Sequence, residues 1–411
     1  MKNHAINIAD QFGTPLYIYN EAALRQAANE CLAFNADFGL TVRFAMKANP
    51  NRSILQLFHS MGIQIDASSG YEAERAMLAG IPAENILLTV QEIPENFQEL
   101  INAGVEFNAC SLHQLEAYGQ LERRPNTVSI RINPGKGSGQ FPGMNVGGPG
   151  AGFGIWHEQI KQIQELLKRH NLSIQRVHTH IGCGTDPEIW TEVAKISISF
   201  MHTFTKATIL NLGGGFKVSR VPEEKTADLA AISTKVNEIL KKFAEETGRK
   251  IHLEIEPGSY LSANTGHLLS SVIDLVQTTE EHKFIKLNSG MTELIRPAMY
   301  GAQHPIEIIR KDQQESQEEN FYVVGHCCET SDTFTVKKDV RGQLETRRLP
   351  RPEIGDLAII GGVGGYCSSM ATINYNSFPQ AAEVMVHEDG TYKLIRRRQS
   401  MDQMLQNEVS P

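Results

Sequence analysis

Four short segments carry residue types that could act together: a lysine in FAMKANPN, a histidine in HTHIGCG, three glycines in NLGGGF and a glutamate in EIEPGSY. They are Lys47, His180, Gly213 with Gly214 and Gly215, and Glu256, and each follows a run of β-branched or apolar residues. A lysine buried at a strand end has its charged form penalised, which frees the amine to attack a carbonyl and form a Schiff base. The plain alternative is a surface lysine just beyond the strand. Consecutive glycines let backbone N–H groups approach an anion closely, or simply make a tight turn. His180 suits stacking on a ring, proton transfer or core filling, and His178 is expected to face the other side of its strand. Glu256 alone reads as a salt-bridge partner in the mouth of the fold.

Taken together, an amine, an anion cradle and a carboxylate match the aldehyde, phosphate and ring nitrogen of pyridoxal 5′-phosphate. A carboxylate at the ring nitrogen keeps it protonated and strengthens the electron sink, which favours decarboxylation over racemisation. A second cluster, GHCCETSD at residues 325–332, sets Cys328 beside Glu329. It suits proton delivery by Cys328 with ligand binding by Glu329. Metal binding by His326, Cys327 and Cys328 is a further reading, though no CxxC spacing accompanies it, and a structural cysteine pair is another. Arg296 and Tyr300 in LIRPAMY offer an anion fork and a hydroxyl, and Tyr366 sits in GGVGGYC, where glycines permit close backbone approach.

These residues need a scaffold that brings distant segments to one rim. Between residues 41 and 256 short β-rich runs alternate with helical periodicity, the pattern of a parallel sheet wrapped in helices. The runs are 41–46, 63–67, 86–89, 105–109, 128–133, 174–180, 208–212 and 251–256. Eight strands predict a (β/α)8 barrel of TIM type, whose catalytic groups lie at the C-terminal strand ends. Those ends carry Lys47, Asp66 with Ser68, Arg131 with Asn133, His180, the glycines and Glu256. Ile155, Ile160, Ile163, Leu166 and Leu167 make one apolar helix stripe. The Gly-rich stretch 134–154 is too long for an ordinary connection and is expected to be an active-site loop. After residue 263, β-branched runs and Gly/Pro turns predict a second, mainly β domain, with 309–319 an exposed excursion. The expected division is 21–263 for the barrel, and 1–20 with 264–411 for the β domain.

The 411 residues are 41% hydrophobic and 21% charged, ordinary values for a folded protein. A net charge of −8 has the wrong sign for nonspecific nucleic-acid binding, and the run Arg396, Arg397 and Arg398 reads as a solvated face. Six cysteines make no disulfide framework, and no apolar run reaches membrane-span length. A cytoplasmic location is expected.

With these motifs in order, the chain resembles the pyridoxal-phosphate decarboxylases of the alanine-racemase-like barrel type, fold type III, and within them the diaminopimelate decarboxylases. The likeness runs from GTPLYIYN through FAMKANPN, SSGYE, RINP, FGI, HIGCG, NLGGGF, EPGSY, LIRPAMY, CCETSD and GGYCSSMATINYNSFP. It implies that Lys47 carries the cofactor, His180 stacks on it, Gly214 and Gly215 hold its phosphate and Glu256 meets its ring nitrogen. It further implies that Arg296, Tyr300, Glu329 and Tyr366 hold substrate and phosphate, and that Cys328 protonates the carbanion. In such enzymes Cys328 and Glu329 reach a neighbouring subunit, so a homodimer with shared active sites is expected. Two positions differ from the family: Ser259 stands where arginine is usual after EPG, and Cys183 where HIGSG has serine. Substrate recognition then falls more heavily on Arg296, with Ser259 offering one hydrogen bond. The resemblance implies decarboxylation of meso-2,6-diaminopimelate to L-lysine. Ornithine, a D-amino acid or a carboxylated polyamine or siderophore precursor are alternative substrates. A non-catalytic pyridoxal-phosphate carrier and a metal-dependent barrel hydrolase are readings of other classes.

Overall fold

The β-rich runs become eight strands: Leu40–Ala45, Gln64–Ala67, Ile86–Leu88, Glu106–Ala109, Thr127–Asn133, Ser173–Thr179, Ile209–Asn211 and His252–Ile255. The computed structural model describes residues 2–136, 147–180, 182 and 184–409. Each strand pairs in parallel with its successor, and the eighth returns to the first with Leu253 opposite Leu40. This is an eight-stranded parallel β/α barrel. A further short strand, Ile155–Trp156, lies beside the fifth, with Ile155 opposite Ile132.

Helix start signals follow the strand ends closely and fix where the chain turns back. Asn51, Ser69 and Ser111 accept backbone N–H groups at the starts of Arg52–Ser60, Gly70–Leu78 and Leu112–Gln120. Asp186 and Asp228 cap Pro187–Thr203 and Leu229–Thr247 in the same way. In Ile160–Arg169 the expected stripe is real: Ile163 and Leu166 are buried, while Lys161, Glu165 and Lys168 are exposed.

Deep in the barrel the filling is ionic as well as apolar. Arg176 on the sixth strand reaches Glu254 on the eighth through Nε and Nη2, at 2.6 and 2.9 Å. Its Nη2 also donates to Glu106 at 2.7 Å, and Arg43 on the first strand meets Glu106 at 2.9 Å and Glu254 at 3.2 Å. Burial raises the Glu254 pKa, but Arg43 and Arg176 outweigh it and hold the carboxyl at about 2. Breaking such a group by removing one member leaves an uncompensated buried charge, so Glu254→Ala is expected to cost about 3–5 kcal/mol in chemical denaturation at neutral pH. Because the folded pKa is depressed, this contribution is present above the ordinary carboxylate pKa and is lost as pH falls towards 2. The stability gap between wild type and variant should therefore narrow in acid, and an equal gap at neutral and acid pH would contradict the assignment.

The chain divides into two compact units. One comprises the described residues of Arg25–Val218 and Lys225–Leu261 and contains the barrel. The other comprises those of Met1–Leu24, Ser219–Glu224 and Ser262–Pro411. Its mixed sheet gathers Leu16–Asn20 between Gly266–Gln277, antiparallel, and Ala382–Val386, parallel. Gly266–Gln277 also pairs with Lys283–Leu287 and Leu357–Ile360. Leu16, Ile18, Leu269, Leu357, Ile359, Val384 and Val386 form its core, closed by Ala5 and Ile8 of the helix Lys2–Phe12. Residues 311–315 are exposed, as the polar composition of that excursion requires.

The arginine run is not a uniformly solvated face. Arg396 lies on the strand Tyr392–Arg396 and pairs with buried Glu383 at 3.0 Å, and Arg398 donates to the Pro15 carbonyl at 2.8 Å. Only Arg397 of the three is exposed. Consecutive charges on an extended chain point to alternate sides, so one of them faces water while its neighbours find partners. No described helix is long and apolar enough to cross a membrane.

Candidate active site

The barrel strands deliver their polar residues to one rim, and the turn after the seventh strand is built around glycine. Gly213 has φ +69°, and a Cβ there would stand 2.5 Å from Nδ1 of His180, so only glycine lets the imidazole lie against the turn. A Cβ on Gly214 would stand 2.1 Å from the carbonyl oxygen of Glu256. The Glu256 N–H donates to the Gly213 carbonyl at 2.8 Å, which locks the glycine turn to the end of the eighth strand.

Glu256 is buried, and one oxygen of its carboxylate is held by a hydrogen bond while the other lies near a neutral histidine. Asn211 donates to Oε1 at 2.6 Å, and Nε2 of His178 lies 3.5 Å from Oε2. Burial raises the Glu256 pKa, with the Asn211 bond, Arg131 and Lys47 opposing it. Asp66, on the second strand, is pushed up to about 8 by burial and by Glu256, against the pull of Lys47. Its Oδ1 is buried without a hydrogen-bond partner. Burial and the neighbouring Glu256 both favour the protonated form of Asp66. Burial, with Arg131 and Lys47 nearby, pushes the His180 pKa well down, so its ring is neutral. His180 Nδ1 is likewise buried without a partner.

Lys47, on a single turn of 3₁₀ helix (Met46–Ala48), takes the plain reading of a surface lysine just beyond its strand, although Met46 and Ala48 on either side are buried. The Lys47 ammonium lowers the pKa values of Asp66, Glu72, Glu256 and both histidines. One expectation is corrected. His178 does not face away from His180. Residues two apart on a strand share a side, and the two rings lie 6.5 Å apart.

Arg131 is buried, with its guanidinium 5.3 Å from the Phe153 ring. Asn133 ties down the flanks of the Gly-rich stretch: it accepts from the N–H groups of Gly135 and Gly148 and donates to the carbonyls of Gly148 and Ala151. The middle of that stretch, residues 137–146, lies outside the described residues, as does Cys183. Ser259 opens the short helix Ser259–Ser262. Asn211 and Asn108 were missed from sequence. Asn108 reaches His178 Nδ1 at 2.7 Å, and the only signal of either was a polar residue inside a β run.

In the β unit, Arg296 begins the helical turn Arg296–Tyr300, and its guanidinium lies 5.7 Å from the Tyr300 ring centroid. Its Nε is buried without a hydrogen-bond partner. Tyr366 adopts φ +58°, a conformation a non-glycine residue holds only under constraint. Cys328 and Glu329 are exposed, with the Cys328 N–H donating to Asn376 Oδ1 at 2.9 Å. Glu329 accepts from the Ser331 N–H and hydroxyl at 3.2 and 3.1 Å, which lowers its pKa and keeps it ionised. His326 instead stacks on Phe378 at 3.6 Å and meets Thr292 Oγ1 at 2.8 Å. Among the described residues no group of three His, Cys, Asp or Glu side chains could hold a metal ion.

The barrel rim fits pyridoxal 5′-phosphate on its own geometry. Glu256 is a buried acceptor for a ring N–H, and the neutral His180 imidazole has an unpartnered Nδ1. The glycine turn packs on His180 and the Glu256 carbonyl so closely that no Cβ fits at Gly213 or Gly214, which holds its backbone beside both residues, and Lys47 supplies an exposed amine.

Residues 24–263 match the family described as pyridoxal-dependent decarboxylase, pyridoxal binding domain. The diaminopimelate decarboxylase of Escherichia coli K12 is 31% identical over 413 residues, covering 98% of this chain and 96% of that protein. A crystal structure of a diaminopimelate decarboxylase superposes with a TM-score of 0.91 at 30% identity, covering 99% of this chain and 96% of that one. The Helicobacter pylori diaminopimelate decarboxylase, solved in complex with L-lysine, has a TM-score of 0.84 at 28% identity and covers 98% of each chain.

Proposed function

Because this chain belongs to the pyridoxal-dependent decarboxylases, carboxy-lyases that use pyridoxal phosphate, we propose that it converts meso-2,6-diaminopimelate to L-lysine and CO2, the last step of lysine synthesis. The observation that carries the reading of the chemistry is the buried Glu256 carboxylate, held by Asn211 on a rim that also bears Lys47 and the glycine turn. Bound pyridoxal phosphate supplies the electron sink for the pair left when the α-carboxylate departs. Every other task falls to the chain. Glu256 would accept the ring N–H and keep that proton in place, Gly214 and Gly215 would hold the phosphate, and neutral His180 would stack on the ring. Lys47 would bind the cofactor and give way to the substrate amine.

Recognition of a substrate with a second amino-acid end would use Arg296 for the distal carboxylate and Glu329 for the distal ammonium. Tyr300 and Tyr366 would add hydroxyl contacts. Ser259 contributes one hydrogen bond where the family usually has a guanidinium, which places the greater share on Arg296. Cys328 would return a proton to the α-carbon. The exposure of Cys328 and Glu329 supports their action at the site of a second copy of the chain, in a homodimer with shared sites. Likeness over nearly the whole chain to diaminopimelate decarboxylases, one of them holding L-lysine, supports the substrate.

Carbon dioxide release from meso-diaminopimelate, ornithine, D-lysine and carboxynorspermidine, each at the same concentration, tests the assignment. The first is expected to have the highest kcat/KM. A higher value for any of the others would overturn the choice of substrate.

A further inference from the structure

Asn211 ends the seventh strand, is fully buried, and uses its amide in three directions. Its Oδ1 accepts the Gly213 N–H at 2.8 Å. Its Nδ2 donates to Glu256 Oε1 at 2.6 Å and to Glu254 Oε2 at 3.2 Å. The amide cannot turn over without setting its oxygen against two carboxylates and its NH2 against an N–H. Its backing is rigid, since Glu254 is held by Nε and Nη2 of Arg176 and by Nη2 of Arg43. The backbone closes the ring: the Glu256 N–H donates to the Gly213 carbonyl, so Asn211, Gly213 and Glu256 bond one another by side chain and main chain.

A ligand whose ring nitrogen and phosphate are joined covalently needs its two receptors at one separation. We propose that Asn211 is a positioning residue that holds the Glu256 carboxylate and the glycine turn at that separation, anchored from beneath by the Arg43, Arg176 and Glu254 cluster. This builds on the assignment of Glu256 to the ring nitrogen and of the glycines to the phosphate. An isosteric leucine would lose all three bonds, and an aspartate would keep the one to Gly213 and turn the other two into repulsions.

Asn211 also sets the charge on Glu256. Burial favours the protonated acid, whereas the Asn211 donor stabilises the carboxylate, aided by Arg131 and Lys47 and opposed by Glu254. Asp66, His178 and Cys110 also face it. Removing the donor therefore raises the Glu256 pKa. A charge-assisted hydrogen bond of this kind corresponds to about one pH unit, or tenfold in the ionisation equilibrium.

The test uses the full chain, prepared with and without cofactor, as wild type, Asn211→Ala and Asn211→Asp. Infrared titration of the Glu256 carboxyl in the cofactor-free protein, identified by difference from Glu256→Gln, is expected to move up by about one pH unit in Asn211→Ala and further in Asn211→Asp. Affinity for pyridoxal 5′-phosphate is expected to fall by about tenfold or more, while affinity for pyridoxal, which lacks the phosphate, changes by less than about threefold. A purely structural role would lower thermal stability without moving the Glu256 titration, and that result overturns the proposal. Equal weakening of the two ligands also overturns it, because the matched separation would then play no part. If Asn211→Ala does not fold, Asn211→Asp, which keeps the side-chain volume and the Gly213 bond, is read in its place. Failure of the underlying assignment looks different: Glu256→Gln would leave the bound cofactor's absorption unchanged while Asn211→Ala still shifts the Glu256 titration.

Discussion

Replacing Lys47 with alanine is expected to lower kcat by a factor on the order of 10⁴ or more while leaving the barrel folded. Lys47 is exposed on a single turn, so its removal leaves no enclosed cavity. The loss is therefore one of chemistry, and the melting temperature should stay close to wild type. Pyridoxal phosphate should still bind, more weakly, because the glycine turn, His180 and Glu256 remain. Taking away one positive charge beside Asp66 and Glu256 also removes an influence that lowers both pKa values. An unfolded variant, or one retaining a tenth of wild-type activity, would contradict the proposed role.

The second large effect concerns Cys328 and Glu329. Cys328→Ala is expected to reduce turnover by about 10²- to 10⁴-fold, the usual range for loss of a positioned proton donor. If the exposed Cys328 and Glu329 complete the site of a neighbouring copy, a mixture of Lys47→Ala and Cys328→Ala proteins regains activity. Random reassortment makes half of the dimers mixed, each with one intact site of two, so about a quarter of wild-type activity is expected. Mixing Lys47→Ala with Lys47→Arg supplies the control that should stay inactive. No recovery after exchange of subunits, verified by mass, would overturn the shared-site arrangement.

The barrel was legible because its strands are short β-branched runs between helices, most of them side-chain capped, and each strand end falls within one residue of its expected place. The rim was legible for the same reason, since polar residues at the ends of apolar strands stand out. What the sequence concealed is the charge inside the barrel. Arg43, Glu106, Arg176 and Glu254 alternate with apolar residues, a pattern that also fits strands with one solvated face, and only closure of the ring turns that face inward. Asn211 was hidden likewise, because its importance lies in Glu254 and Glu256, more than forty residues away. The exposure of Lys47 depends on a turn of 3₁₀ helix that no periodicity announces. The pairing of Arg396 with Glu383 is set by strand register, which a charge run does not reveal.

The central claim is that the barrel rim binds pyridoxal phosphate with Lys47 as its attachment point. Borohydride reduction of the holoenzyme, followed by digestion and peptide mass mapping, tests it most directly. A pyridoxyl group is expected on the peptide containing Lys47, with none after Lys47→Ala. A modified lysine elsewhere, or an unmodified chain after reduction, would contradict the claim.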